Sequence, residues 1–273
     1  MAEWSSWVGR TREAEDTVTA GMVEGLRATL DSEATPAPGE PAPQGIHWLL
    51  APTREPMRAL GADGHVARGD FLPPITLPRR MWAGGDIQFL RPIPVGARVR
   101  RRSEILAVTP KDGASGPLVF VDIDHVTDAD GTPAVRERQT IVYRDVNGAP
   151  PRSEADDGPA NFERRCRPDP VMLFRYSALT FNSHRIHYDQ PYVTKVEGYP
   201  GLVVHGPLTA SLLIDLCARQ YGGNRLARFS FRAVSPAFVD NELVLRGRKL
   251  ADGLELVAVS EGRVVMRAKA VLA

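Results

Sequence analysis

The chain has 273 residues, 43% of them hydrophobic and 25% charged, the balance of a globular protein with material for one large domain or two ordinary ones. A formal net charge of +1 gives no reason to expect nucleic acid or an anionic membrane as partner. Two cysteines, Cys166 and Cys217, make neither a disulfide framework nor a paired metal-thiolate spacing, and no stretch of about 18 apolar residues is present to span a bilayer.

The N-terminus carries acidic residues and no apolar core of signal-peptide length, so a cytoplasmic protein with reduced thiols is expected. Thr17 to Leu30 places Val18, Met22, Leu26 and Leu30 at a spacing of four, which predicts a helix. Ala34 to Gly45 is a break, because its prolines and glycines continue neither helix nor ladder. Phe89 to Gly96 then precedes an alternating run through Val99, Arg101 and Ile105, followed by strand-like runs over 117–127 and 133–145.

A second break, 147–170, mixes Pro, Gly and opposite charges, and beyond it the succession repeats. Phe231 to Asp240 precedes a run through Leu243, Leu245 and Leu250, then runs over 253–260 and 262–271, with Gly turns at Asp130-Gly131 and Glu261-Gly262. Phe89 matches Phe231, and Val95-Gly96 matches Val239-Asp240 after two inserted residues. Residues 207–220 put Leu208, Leu212, Leu213, Leu216 and Cys217 on one helical face, behind a Gly206-Pro207 start. The expected class is α+β, a sheet wrapped around one long apolar helix, present twice. The units are 1–146 and 171–273, joined by the linker 147–170.

His47, His65 and His125 are isolated and are expected at turns or on the surface. His184 and His187 are different, because they sit in a dense polar cluster, Tyr176 to Asp189, that contains Thr180-Phe-Asn-Ser-His-Arg-Ile-His-Tyr-Asp189. Gly198-Tyr-Pro-Gly-Leu-Val-Val-His-Gly206 follows and leads into the second helix. These segments resemble the MaoC-like hydratase and dehydratase family, and within it the hydroxyacyl-thioester dehydratase type 2 and mesaconyl-C4-CoA hydratase branch. Phe71-Leu-Pro-Pro-Ile-Thr-Leu-Pro-Arg-Arg-Met-Trp-Ala-Gly-Gly85 adds a third piece, so the resemblance spans roughly residues 45–215. It implies a double hot dog fold whose first half is degenerate and shapes an acyl pocket. The second half then carries the site.

The resemblance makes His187 the catalytic histidine. Asn182 stands where the broader family has Asp, His184 where it has Asn, and Arg185 where it has Pro. Adding water to a conjugated thioester requires a base for the water, a proton for the α-carbon and donors for the enolate oxygen. A histidine suits the first two tasks and a helix N-terminus the third. Pro207 has no N–H, so Gly206 is the expected oxyanion donor, with Leu208 as an alternative. Asn182 is expected to hold the water or else to cap the local turn, and Arg185 to bind a second substrate carboxylate or else to form a loop salt bridge. His184 and His205 are expected to contact substrate. Asp189 either orients His187 or caps the next turn.

His184-X-X-His187 lacks further ligands at supporting spacing, so no metal is expected, and no cofactor beyond the coenzyme A of the substrate. The run Arg98 to Arg102 reads as a charged strand edge, with contact to coenzyme A phosphates as the alternative. Trp48, Met81 and Trp82 are assigned to an acyl pocket or to core. The expected activity is reversible hydration of an enoyl-CoA, mesaconyl-C4-CoA or itaconyl-CoA to citramalyl-CoA, and the expected partner is the acyl-CoA, with a homodimer allowed. Straight-chain 3-hydroxyacyl dehydration, a hot dog thioesterase and a non-catalytic acyl-thioester binder are the alternatives.

Overall fold

In a computed structural model, described over residues 4–32, 35–113, 116–145, 154–156 and 158–273, ten strands form one continuous antiparallel sheet. The first five are β1 (Thr11–Thr17), β2 (Arg79–Phe89), β3 (Arg98–Gly113), β4 (Gly116–Ala129) and β5 (Thr132–Arg144). The second five are β6 (Phe162–Cys166), β7 (Leu226–Ala233), β8 (Leu243–Leu250), β9 (Gly253–Ser260) and β10 (Arg263–Leu272).

Their order, β1-β3-β4-β5-β2-β7-β10-β9-β8-β6, is one five-strand pattern followed by its mirror image. The halves meet where β2 pairs with β7, and there Ile87 stands opposite Phe229. Under the Phe89–Phe231 match these two are equivalent residues, so the two-fold relation of the sheet passes between them. Both are fully buried.

The helices obey the repeat less well. Helix α4 (Gly206–Tyr221) is the long apolar helix expected in the second half, and its Leu208, Leu212, Leu213, Leu216 and Cys217 are all buried. It packs on β6 through β10. The first half has no counterpart: among the described residues between α1 (Ala20–Thr29) and β2, only 3-10 turns at Ile46–Trp48 and Met57–Ala59 occur. Prolines at 36, 38, 41, 43, 52, 56, 73, 74 and 78 remove the N–H groups a helix there would need.

The helix expected over Thr17 to Leu30 is present as α1, but it does not take the place that α4 has in the second half. Helix α1 packs instead against α2 (Pro170–Thr180), so closely that a Cβ on Gly25 would stand 2.7 Å from the Leu179 side chain. The segment read as linker also contains β6, which pairs with β8 and caps the sheet. The charged run in β3 is not an edge, because β1 covers it, and its alternation turns Arg101 inward while Arg100 and Arg102 face solvent.

Candidate active site

The candidate catalytic loop begins where α2 ends. Phe181 adopts φ +52°, and the Asn182 N–H closes the helix on the Ser177 carbonyl at 2.9 Å. The Asn182 Oδ1 accepts the His184 N–H at 3.0 Å, an Asx turn that starts the 3-10 turn Arg185–His187. Asp189 caps the short helix α3 (Gln190–Lys195) by accepting the Tyr192 N–H, which settles its role in favour of the cap.

The loop and the start of α4 face a cavity of about 1710 Å³ lined by Asn182, His184, His187 and Gly206, with Met81 and Trp82 from β2 and Trp48 from the first half. His187 is 7% exposed, and its Nδ1 lies 2.7 Å from the Val203 carbonyl. A carbonyl only accepts, so Nδ1 holds the proton and Nε2 presents a lone pair. Burial pushes the His187 pKa down to about 4, with the nearby His65 adding to the fall and the Val203 bond opposing it.

The His187 ring stacks on His205 with centroids 3.6 Å apart, and His205 immediately precedes Gly206. The stack therefore seats the His187 ring against the N-cap residue of α4, whose leading N–H groups have no intrahelical acceptor. A Cβ built on Gly206 would meet only the Trp82 carbonyl, at 4.0 Å, so the space beside the helix start is uncrowded.

Two expected substrate contacts are corrected. His205 is completely enclosed behind His187 and does not line the cavity; its Nε2 pairs with the Ser177 hydroxyl at 2.8 Å. Arg185 does not line the cavity either. Its Nε and Nη2 both bond Asp189 Oδ2, at 3.0 and 2.7 Å, its Nη1 reaches the Ala62 carbonyl, and its guanidinium lies over Tyr192. The 3-10 turn places residues 185 and 187 about 240° apart around its axis, so one side chain faces the cavity and the other the rim. Arg185 holds the loop. His184 does line the cavity, packed between the rings of His65 and His187.

Of the three histidines expected at turns or on the surface, His47 is buried in a 3-10 turn, His65 is half-buried in the turn 61–65, and His125 is half-buried on β4. His65 lines the cavity and pairs with Asp63 at 3.1 Å. His125 bridges Ser103 and Gln139, and His47 lies 3.5 Å from the buried carboxylate of Glu137. Burial pushes the Glu137 pKa up, but His47, His125 and the Trp48 N–H outweigh it and keep the carboxyl ionised. Isolation in sequence concealed these residues, because their partners lie across strands. Only the Asp63-Gly64-His65 spacing carried a local signal.

The hydroxyacyl-thioester dehydratase type 2 family matches residues 45–239. A mesaconyl-C4-CoA hydratase from Chloroflexus aurantiacus is 41% identical over 261 residues, covering 94% of this chain and 93% of that protein. The mitochondrial hydroxyacyl-thioester dehydratase type 2 of Schizosaccharomyces pombe is 27% identical, over 73% of this chain and 75% of its own. Among solved structures, a MaoC-like dehydratase from Phytophthora capsici shares the fold with TM-score 0.71 at 17% identity, covering 97% of this chain and 96% of that one. A Mycobacterium tuberculosis protein with a double hotdog fold matches at TM-score 0.56 and 16% identity, over 97% and 96% of the two chains. The fold is a double hot dog, and the chain belongs to the hydroxyacyl-thioester dehydratase type 2 family of hydro-lyases.

Proposed function

We propose that the protein reversibly hydrates a short enoyl-CoA bearing a second carboxylate, mesaconyl-C4-CoA or itaconyl-CoA, to give citramalyl-CoA. The observation that carries this reading is the pairing of a fixed His187 Nε2 lone pair with the uncrowded start of α4 in one cavity. Water bound between Asn182 and His187 loses a proton to Nε2 as its oxygen attacks the β-carbon. The π electrons move to the thioester oxygen, which Gly206 N–H and the helix dipole stabilise. With Oδ1 engaged by the loop, the Asn182 NH₂ remains to donate to the water oxygen.

The likeness to a protein named mesaconyl-C4-CoA hydratase supports the dicarboxylic substrate. So does Arg80, which lines the cavity and has no salt bridge to a carboxylate among the described residues. Arg80 lies two residues before Trp82 on β2, on the same face and about 7 Å along the strand. Trp82 borders Gly206, so an Arg80 guanidinium can meet a carboxylate a few bonds from the thioester.

Purified protein incubated with crotonyl-, mesaconyl-C4- and itaconyl-CoA tests the reading. Loss of enoyl absorbance without thiol release is expected, fastest on a dicarboxylic substrate. Preference for crotonyl-CoA replaces it with fatty-acid-type dehydration, and thiol release replaces it with thioester hydrolysis.

A further inference from the structure

The turn 61–65 belongs to the first half of the chain, yet it is fastened to the catalytic loop of the second. The Arg185 N–H donates to the Asp63 carbonyl at 2.9 Å, and the Ser183 hydroxyl to the Gly64 carbonyl at 2.5 Å. Glycine makes the approach possible: Gly64 has φ +85°, and a Cβ there would stand 2.0 Å from the Ser183 carbonyl oxygen.

What the turn delivers is a carboxylate–imidazole pair. Asp63 Oδ2 lies 3.1 Å from His65 Nδ1, while Oδ1 accepts the His65 backbone N–H at 3.0 Å. An ionised carboxylate only accepts, so Nδ1 carries a proton and Nε2 is left for other chemistry. His65 lines the cavity, and its ring lies 4.0 Å from that of His184, which is 5.4 Å from His187. The catalytic loop itself has an amide, Asn182, where a proton-carrying carboxylate would serve.

We infer that His65 is a second catalytic acid–base residue and Asp63 its positioning residue, supplied by the first half of the chain to do what Asn182 cannot. This rests on the hydration reading above. As His187 Nε2 takes a proton from water, the oxygen bonds to the β-carbon and the C=C pair moves to the thioester oxygen. The enolate pair then returns to form the α-carbon–hydrogen bond, using the Nε2 proton of a His65 imidazolium, whose N–H bond breaks. One water has been added. The proton left on His187 returns to His65 by way of His184, a ring nitrogen of which lies within 4.8 Å of both a His65 nitrogen and an Asp63 oxygen. A single proton shared by these imidazoles rests best on His65, because a carboxylate backs it and only a carbonyl backs His187.

The charged and titratable groups facing His65 are Asp63 and Arg68 from its own loop, Arg80 from β2, and His184 and His187 from the catalytic loop. Burial, with Arg80 and Arg68, pulls the His65 pKa below the ordinary histidine value, and Asp63 opposes them. The acid form is therefore lost as pH rises through that lowered pKa, and hydration falls on the alkaline side.

The test compares wild-type protein, His65→Gln and Asp63→Asn on the enoyl-CoA that the wild type hydrates, as full pH profiles. His65→Gln should lower kcat by ~10²-fold or more and abolish the alkaline limb. Asp63→Asn should lower kcat by about tenfold at little change in KM and move that limb to lower pH. Asparagine keeps the main-chain carbonyl that accepts the Arg185 N–H, so a merely latching role would leave the limb where it was. An active wild type whose His65→Gln form turns over within about threefold, with the limb unmoved, overturns the inference. Wild-type activity lost to a chelator and restored by zinc also overturns it, by making Asp63, His65 and His184 metal ligands. A wild type inactive on every enoyl-CoA sinks the hydration reading and this inference together, whereas the preceding outcomes sink this inference alone.

Discussion

His187 and His205 lie face to face, 3.6 Å between ring centroids and 19° from parallel, with His205 sealed from solvent. Burial drives both pKa values down, His187 to about 4 and His205 well below the ordinary value, and the coulombic effect of His187 adds to the fall at His205. Both are thus neutral when folded and take up protons only on unfolding as pH drops below about 6.5. The unfolded state binds more protons in that window, so stability declines as pH falls from about 6.5 toward 4. His187 alone should account for about 3 kcal/mol of that decline. Thermal melts of wild type and His187→Gln across this range check it: the variant's Tm should be less sensitive to acid.

His187→Gln also tests the chemistry. Glutamine can accept the bonds a neutral imidazole accepts but cannot carry a proton, so kcat should fall by ~10²–10⁴-fold with the fold retained. Near-normal turnover, with circular dichroism matching wild type, would remove His187 from the mechanism.

Gly206→Ala separates packing from catalysis. The added Cβ meets only the Trp82 carbonyl, at 4.0 Å, so the melting temperature should move little. A methyl group at the helix start narrows the space an enolate oxygen would occupy there, and kcat should drop by about 10²-fold. Unchanged kcat would shift the oxyanion role to Leu208.

The strand repeat and the Asn182-to-Gly206 segment were legible in the sequence because their determinants are local. Alternation writes a strand, and a Gly-Pro start followed by a leucine stripe writes α4. Helix α2 was missed because its apolar residues do not form one stripe: Leu173 and Tyr176 are buried while Val171 and Phe174 are exposed. The short strands β1 and β6 were missed because they alternate charged and half-buried residues at the two ends of the sheet. A cation in the site loop where the broader family has Pro suggests substrate contact at Arg185, but the 3-10 turn sends neighbouring side chains in different directions and leaves it the alternative role, a loop salt bridge to Asp189. His65 was overlooked because its catalytic-loop neighbours lie about 120 residues away in the chain.

Gly64→Ala tests the joint between the halves. A methyl group 2.0 Å from the Ser183 carbonyl, at φ +85°, cannot be accommodated without moving the turn. A stability loss of roughly 1–3 kcal/mol is expected, together with a fall in kcat as Asp63 and His65 leave the catalytic loop. A Gly64→Ala protein with normal turnover would show that the docking has no catalytic consequence.

Arg185 and Arg80 give opposite predictions for specificity. Arg185 is spent on Asp189 and the Ala62 carbonyl and does not line the cavity, so Arg185→Leu loosens the loop under every substrate alike. Its losses on mesaconyl-C4-CoA and crotonyl-CoA should be equal. Arg80 lines the cavity on the strand that borders Gly206, and removing its guanidinium takes away a charge-assisted partner for a second carboxylate. Such a bond contributes roughly 1.5–3 kcal/mol, or about one to two decades in kcat/KM. Arg80→Leu should therefore cost that much on mesaconyl-C4-CoA and spare crotonyl-CoA. Lysine at this position keeps the charge without the planar fork and should recover only part of the loss. Parallel losses on both substrates would assign Arg80 to the coenzyme A moiety, which they share, and remove it as the receptor of the second carboxylate.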